Sequence, residues 1–405
     1  MSNKQNTLNN LNKLEMATML SKKVAEIIVE NEAFLKQENK KATQDSAFAI
    51  DSDLDFIKKY LAEYVENNKD TFQKDLSPKG TVFIILSYNE PFIISVVPIL
   101  NALVAGNRVV VKPSGKCTDF FKKIWLDKRL CGYIGTEITL VEKSAESEMR
   151  SLLSIVDCVY FFGSFENAKK MYQLCAELFV EFVPEIETAD CKVFKFDNLS
   201  DDFLTNECES TLIQSFTHAG QTCQRISGVF VHNSNFKAYE ERLKEVFKDM
   251  MDNKIEKMVP KNFVVNKAYE DKILTDIRVS NPLRVIKSEA GLPKIVVGPD
   301  TSSEFVKNGY FYPVLWLVPF GNFEELCKEL NFRKFFLGIN IHSDDQALVD
   351  FILNSTRFTR FTVNIIHTEV GLDEGWGGRW PSGSGGYRNW LEHFSIPRRV
   401  IEHRN

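Results

Sequence analysis

Residues 81–115 read TVFIILSYNEPFIISVVPILNALVAGNRVVVKPSG, and the succession of textures in this stretch decides the fold class. Thr81 to Ser87 is a continuous β-branched and apolar run, the pattern of a strand buried on both faces of a parallel sheet. Pro91 to Ala105 reads as a helix with proline at its start and Gly106 at its end, and Arg108 to Lys112 as the next strand. The turn Ser77-Pro78-Lys79-Gly80 sets the run off from what precedes it.

The alternation continues downstream. A helix-like stretch from Asp119 to Leu130, strands at Ile138 to Glu142 and Val156 to Phe162, and a helix from Glu166 to Phe179 complete a first doubly wound α/β lobe, with ligands expected at the carboxyl ends of its strands. A second alternation begins near Cys191 with KVFKF, a helix from Asp201 to Phe216, the strand ISGVFVH and an amphipathic helix from Asn235 to Met251. It runs on through KIVVG, PVLWLVPF, FFLGINI and TRFTVNII, so a second α/β lobe is expected. The first 75 or so residues read as helices, with Met19, Val24, Ile27, Ile28 and Phe34 at three- and four-residue steps. The chain closes with a glycine-rich stretch from Gly371 to Gly386 and the basic, strand-like tail SIPRRVIEH.

Composition bounds what such a chain does. Its 405 residues exceed one typical domain of about 150. With 44% hydrophobic residues and 32 Phe it buries a substantial core, which excludes wholesale disorder. Lys and Arg number 50 against 55 Asp and Glu, a net −5, so neither nucleic acid nor an anionic membrane is the expected main partner. The eight cysteines include no CxxC pair and no Cys/His cluster at zinc-ligand spacing, so they read as reduced thiols and no metal site is expected. The polar start MSNKQNTLNNLNKLEMATML has no apolar signal-peptide core, and a cytoplasmic protein is expected.

The segment richest in chemistry is His218-Ala219-Gly220-Gln221-Thr222-Cys223-Gln224-Arg225, between a helix and a strand. A cysteine there is expected at an exposed turn, its thiol lowered by the start of a helix from an ordinary value of about 8.5. At this residue the chain resembles the aldehyde dehydrogenase superfamily. AGQTC followed by ISGVFVH is similar to the family's nucleophile motif, and TVFIILSYNEPF with ILNALVAGNRVVVKPSG is similar to its strand, Asn-bearing loop, helix and Lys-Pro-Ser motif. FFGSFENAKK resembles its Gly-Ser loop, PEIETADCKVF a degraded form of its Glu-Leu-Gly-Gly segment, and SGSGGYRNW falls in the expected place near the end.

The resemblance implies a role for each matched residue. Cys223 attacks an aldehyde to give a thiohemiacetal and then a thioester, Asn89 and the Cys223 backbone N–H hold the oxyanion, and Glu185 activates the hydrolytic water. Lys112 reaches the adenosine ribose of NAD or NADP, Ser114 follows in the same motif, Gly163 and Ser164 present backbone N–H groups to the dinucleotide, and Phe311 packs against the nicotinamide. Trp376 stands near the substrate channel, where aromatic bulk favours small or apolar aldehydes. The implied fold is two doubly wound α/β lobes and a small oligomerisation element: residues 1–188 with the dinucleotide lobe, 189–378 with the cysteine, and 379–405 as the C-terminal return. About 88 residues precede Asn89, so a shortened form of the fold is expected. FSIPRRVIEH is similar to the strand with which relatives pair subunits, which implies a homodimer or homotetramer.

The departures from the family pattern keep alternatives open. Gly115 replaces an acid after Lys-Pro-Ser, which admits NADP; Glu187 and Thr188 replace a glycine pair; Ala168 replaces a second glycine; and Gly309 replaces an acid that holds the nicotinamide ribose. An acyl-transferring enzyme of coenzyme A type, an acyl reductase, and a binding or structural protein that has lost turnover are the competing readings.

Overall fold

A computed structural model describes residues 12–134, 137–142, 146–186, 188–288, 291–333, 335, 337–368, 371–372, 374–383 and 389–399. Glu187, residues 384–388 of SGSGGYRNW and residues 400–403 of the tail lie outside them. The strands are β1 (Leu76–Pro78), β2 (Thr81–Ile85), β3 (Arg108–Lys112), β4 (Ile138–Leu140), β5 (Cys158–Gly163), β6 (Glu181–Ile186) and β7 (Cys191–Lys195). Beyond these come β8 (Gly228–His232), β9 (Arg284–Lys287), β10 (Lys294–Val297), β11 (Val314–Phe320), β12 (Ile339–Ser343), β13 (Phe361–Val363) and β14 (Ser395–Pro397).

Two sheets organise the molecule. The first runs β4-β3-β2-β5-β6, parallel throughout, with Ile84 between Val111 and Tyr160. The chain leaves β2 toward β3 and β4, then returns to β5 on the other side of β2. The topological switch point therefore falls between β2 and β5, where open α/β sheets leave a crevice beyond their carboxyl ends. The second sheet runs β13-β12-β7-β8-β11-β10-β9, parallel except for the antiparallel β9 edge. The two-lobe α/β architecture expected from the sequence is the one observed.

Burial explains why these segments are strands. Val82, Phe83 and Ile84 are fully buried, alternate side chains entering cores on opposite faces of the sheet. Burying each such side chain contributes about 1.5–3 kcal/mol. The helix Pro91–Val104 is buried from end to end, between β2 and β3 and the helices Lys13–Glu30 and Ala47–Asn67. The apolar residues that Asn233–Asn253 buries are Tyr239, Leu243, Val246, Phe247 and Met250, at the three- and four-residue steps of a surface helix.

Several sequence expectations are corrected. The stretch expected to be one helix from Asp119 to Leu130 is two, Thr118–Trp125 and Lys128–Ile134, because the Asp127 carboxylate accepts bonds from the Arg129 backbone and guanidinium and caps a fresh start. The degraded motif around Glu185 is strand β6, and Lys267–Val279 is a helix that the charged sequence there did not reveal. In the tail, β14 pairs antiparallel with β1 of the same chain, with Ser77 opposite Ile396. The described part of the tail is thus paired within the chain.

Candidate active site

The loop that carries Cys223 is pinned residue by residue. His218, Ala219 and Gly220 all have left-handed backbone, φ 56°, 52° and 74°. Gly220 is obligatory, since a Cβ there would lie 2.6 Å from the Tyr312 carbonyl oxygen. The Gln221 amide donates to the carbonyls of Thr43 (2.9 Å) and His218 (3.1 Å) and accepts from the Tyr88 hydroxyl (3.0 Å). Buried Arg225 donates to the carbonyls of Tyr310 (3.1 Å) and Val314 (2.8 Å), and the Thr188 hydroxyl donates to the carbonyl of Cys223 itself.

One cavity of about 1400 Å³ opens at the switch point. Cys223, Asn89, Glu185, Lys112, Ser114, Gly163, Ser164 and Phe311 all line it, as do Gly309 and Trp376. They arrive from the carboxyl ends of β3 and β5, the loop after β2, strand β6, the loop before β8 and the loop before β11. The structure therefore brings together every residue to which the sequence assigned a catalytic or cofactor-binding role, while Ala168 and Thr188 stand outside the lining.

The electrostatics of the reacting groups differ from expectation. Cys223 is half-buried in a turn that leads into a strand, so no helix start lowers its thiol. Burial pushes the thiol well above its ordinary value, and the nearby carboxylates of Glu90, Glu185 and Asp190 push it further. Glu185 is likewise held far above the usual carboxylate range by burial and by Asp190. Its Oε1 is buried with no hydrogen-bond partner among the described residues. Burial thus favours the protonated form of both groups, and the unpartnered oxygen is the kind of atom that binds a water. The Asn89 amide, 4% exposed, gives one N–H to Glu90 (3.2 Å), which leaves its second donor free.

A basic side of the cavity lies around Lys112. The Lys112 side chain has no ion-pair or hydrogen-bond partner among the described residues, and Lys170 lines the same space, as does Arg150 paired with Glu177 at 2.7 Å. Ser164 is the N-cap of the helix Phe165–Leu178 and its hydroxyl caps nothing within it. The opening turn of a helix, with the helix dipole behind it, faces anions favourably. A side chain at Gly115 would meet nothing within 4 Å, so the missing acid leaves open space. Ala168 is an ordinary helical residue, 4% exposed.

Gly309 and Thr188 prove to be one departure. A Cβ on Gly309 would stand 1.7 Å from the Thr188 carbonyl oxygen, so the backbone of one occupies the place where a side chain on the other would begin.

Sequence reading missed the groups that hold the site. Asp190, fully buried, accepts from the Leu337 and Gly338 N–H groups (3.3 and 3.0 Å) and pairs with His367 Nε2 at 2.9 Å. His218 meets Asp45 (2.8 Å) and Asp53 (3.4 Å), while Asp53, Glu90 and His218 all line the cavity. Burial alone would lower the His218 imidazole, but Asp53, Asp45 and Glu90 outweigh it and hold it at about 10. No signal short of the fold joins positions so far apart.

Comparison with known proteins agrees with this geometry. The sequence profile of the Aldehyde dehydrogenase family matches residues 4–396. "Aldehyde dehydrogenase, dimeric NADP-preferring" of Mus musculus is 25% identical over 382 residues, 88% of this chain and 81% of that protein. "Aldehyde dehydrogenase family 3 comG" of Dictyostelium discoideum is 26% identical over 324 residues, 76% of this chain and 66% of that protein, so the match spans somewhat under two thirds of its length. Among solved structures, the indole-3-acetaldehyde dehydrogenase of P. syringae, in complex with NAD+, superposes with a TM-score of 0.79 at 16% identity, over 97% of this chain and 84% of that one. With the family profile covering nearly the whole sequence and the fold shared, this chain belongs to the aldehyde dehydrogenase family.

Proposed function

We propose that the chain oxidises an aldehyde to its carboxylic acid with NAD or NADP, through a thiohemiacetal and a thioester on Cys223. The observation that carries this reading is the meeting of Cys223, Asn89 and Glu185 in one cavity with Lys112 and the N-terminus of Phe165–Leu178. Lys112 without a partner, Ser164 without a cap contact and the space at Gly115 fit a dinucleotide whose ribose carries a 2′-phosphate as well as one that does not. Bound there, the nicotinamide supplies the hydride acceptor.

The chain's own groups do the rest. Cys223 gives its proton to water in the cavity and attacks the carbonyl carbon, and the developing oxyanion is held by the Asn89 N–H not given to Glu90 and the Cys223 backbone N–H, each such donor worth about 3–4 kcal/mol. Glu185 then takes a proton from the water that hydrolyses the thioester. A carboxyl group with an unpartnered oxygen in the cavity wall favours hydrolysis over acyl transfer to a thiol, which needs no such base. Thr188 fixes the carbonyl of Cys223 and thereby the direction of the peptide N–H groups around it.

We extend the proposal to a homodimer or homotetramer. Its support is the β9 edge, where Leu283 and Val285 stand exposed, an edge that a second copy would cover. Light scattering at micromolar concentration tests it, and a monomeric mass overturns it. The catalytic reading is tested by mixing the protein with a broad aldehyde panel and either cofactor. Reduced-nicotinamide absorbance that disappears in Cys223→Ser is expected, and its absence across the whole panel overturns the reading.

A further inference from the structure

Part of the cavity wall carries a constellation that aldehyde oxidation leaves unused. Asp53 comes from the helix Ala47–Asn67, Glu90 from the residue just before Pro91–Val104, and His218 from the loop that holds Cys223. One oxygen from each carboxylate and one ring nitrogen of His218 lie within 4.8 Å of one another. All three residues line the cavity. Asp53 is 4% exposed, and its Oδ2 has no hydrogen-bond partner among the described residues, a costly condition for a buried carboxylate.

We propose that Asp53, Glu90 and His218 form a binding site for a divalent transition-metal ion of the zinc type. The spacing fits such an ion better than it fits a direct contact. His218 Nε2 and Asp53 Oδ1 are 3.4 Å apart, beyond the usual hydrogen-bond range. Two ligand atoms each about 2.1 Å from a tetrahedral ion stand about 3.4 Å from each other. Asp45 Oδ2 lies 2.8 Å from His218 Nδ1 and so holds the ring with Nε2 turned toward Asp53. A carboxylate behind a metal-binding imidazole is the support that fixes its tautomer and orientation. One imidazole with two carboxylates is a donor set for zinc and its neighbours, whereas calcium and magnesium call for six or more oxygen ligands.

Three protein ligands leave a fourth position on the cavity side, open to water or to a ligand atom. The ion would also tie together the helix Ala47–Asn67, the loop that carries Asn89 and the loop that carries Cys223. Its binding is separate from the aldehyde chemistry and holds whether or not Cys223 turns over substrate.

The test uses the full chain, stripped with a chelator and dialysed against zinc chloride. One zinc per chain by elemental analysis, a higher melting temperature with zinc, and an anomalous peak between the three side chains in crystals of the wild type are expected. Asp53→Asn and His218→Gln should each lose the bound zinc, while Cys223→Ser keeps it. The proposal is overturned if the wild type retains no zinc, if both ligand variants still hold it, if Cys223→Ser loses it, or if the anomalous peak lies elsewhere. The wild-type crystal decides the matter even where a ligand variant fails to fold.

Discussion

Glu185 reaches the cavity from β6 with one oxygen unpartnered among the described residues and its protonated form favoured by burial, and this has opposite consequences for rate and for stability. As a base it works only once ionised, and Cys223 likewise must lose a proton that burial retains. The proposed oxidation should therefore keep speeding up as pH rises through and above neutrality, instead of levelling there. A kcat/KM profile flat over that range would contradict it. For stability the sign runs the other way. The folded-state value of Glu185 lies above its unfolded value of 4.5, so above that pH the unfolded chain sheds a proton that the folded chain keeps, and stability falls with rising pH. Glu185→Gln has no proton to lose. Urea melts at several pH values should show the variant free of this loss, about 1.4 kcal/mol for each unit of raised pKa traversed, while turnover collapses. A variant that keeps full turnover would remove Glu185 from the mechanism.

At the scale of elements, the segment after β6 and the loop before β11 are fitted to each other through Thr188 and Gly309. Gly309→Ala would drive a methyl into the Thr188 carbonyl, at 1.7 Å in the unrelaxed structure, and that strand end must move. Overpacking of this kind costs about 1–3 kcal/mol. Because the Thr188 hydroxyl holds the Cys223 carbonyl, the displacement should also lower kcat more than it raises KM. Thermal melts with steady-state kinetics check both; an alanine variant with unchanged melting temperature and kcat would show that the two loops are not coupled. Neither half of this fit was visible in the sequence, where Thr188 and Gly309 stood as two separate departures. The β2-helix-β3 unit was legible because its signals are local: an apolar run, Pro91 at a helix start, Gly106 at its end. Asp53, Glu90 and His218 were not, because three elements distant in the chain bring them together, and zinc-ligand spacing along a sequence registers only ligands that share a short segment.

For the whole molecule, the C-terminal segment closes the fold by returning to the first sheet. Asn107 donates to the Phe394 carbonyl (2.9 Å), Tyr160 of β5 donates to the His393 carbonyl, and Phe394 packs on the Tyr160 ring at 4.2 Å before β14 pairs with β1. The sequence showed a strand-like tail but not its partner, since β1 is three residues within a turn signal. His393 sits at this junction, 3% exposed, and burial together with the Lys79 ammonium lowers its imidazole to about 3. The folded chain thus keeps His393 neutral where the unfolded chain, with an ordinary value of 6.5, takes up a proton. Between about pH 6.5 and about pH 3 the unfolded state binds more protons, so stability falls as pH falls, by up to about 1.4 kcal/mol per unit from this group. Carboxylates add their own acid sensitivity, so the comparison that isolates His393 is wild type against His393→Gln. Denaturant melts from about pH 7 down to about pH 4 should give a shallower loss in the variant. Hydrogen exchange should place the early opening of the wild type at residues 390–397 and at β1, the two sides of the closure. Parallel slopes for the two proteins would mean that the C-terminal return does not govern the acid limit of the fold.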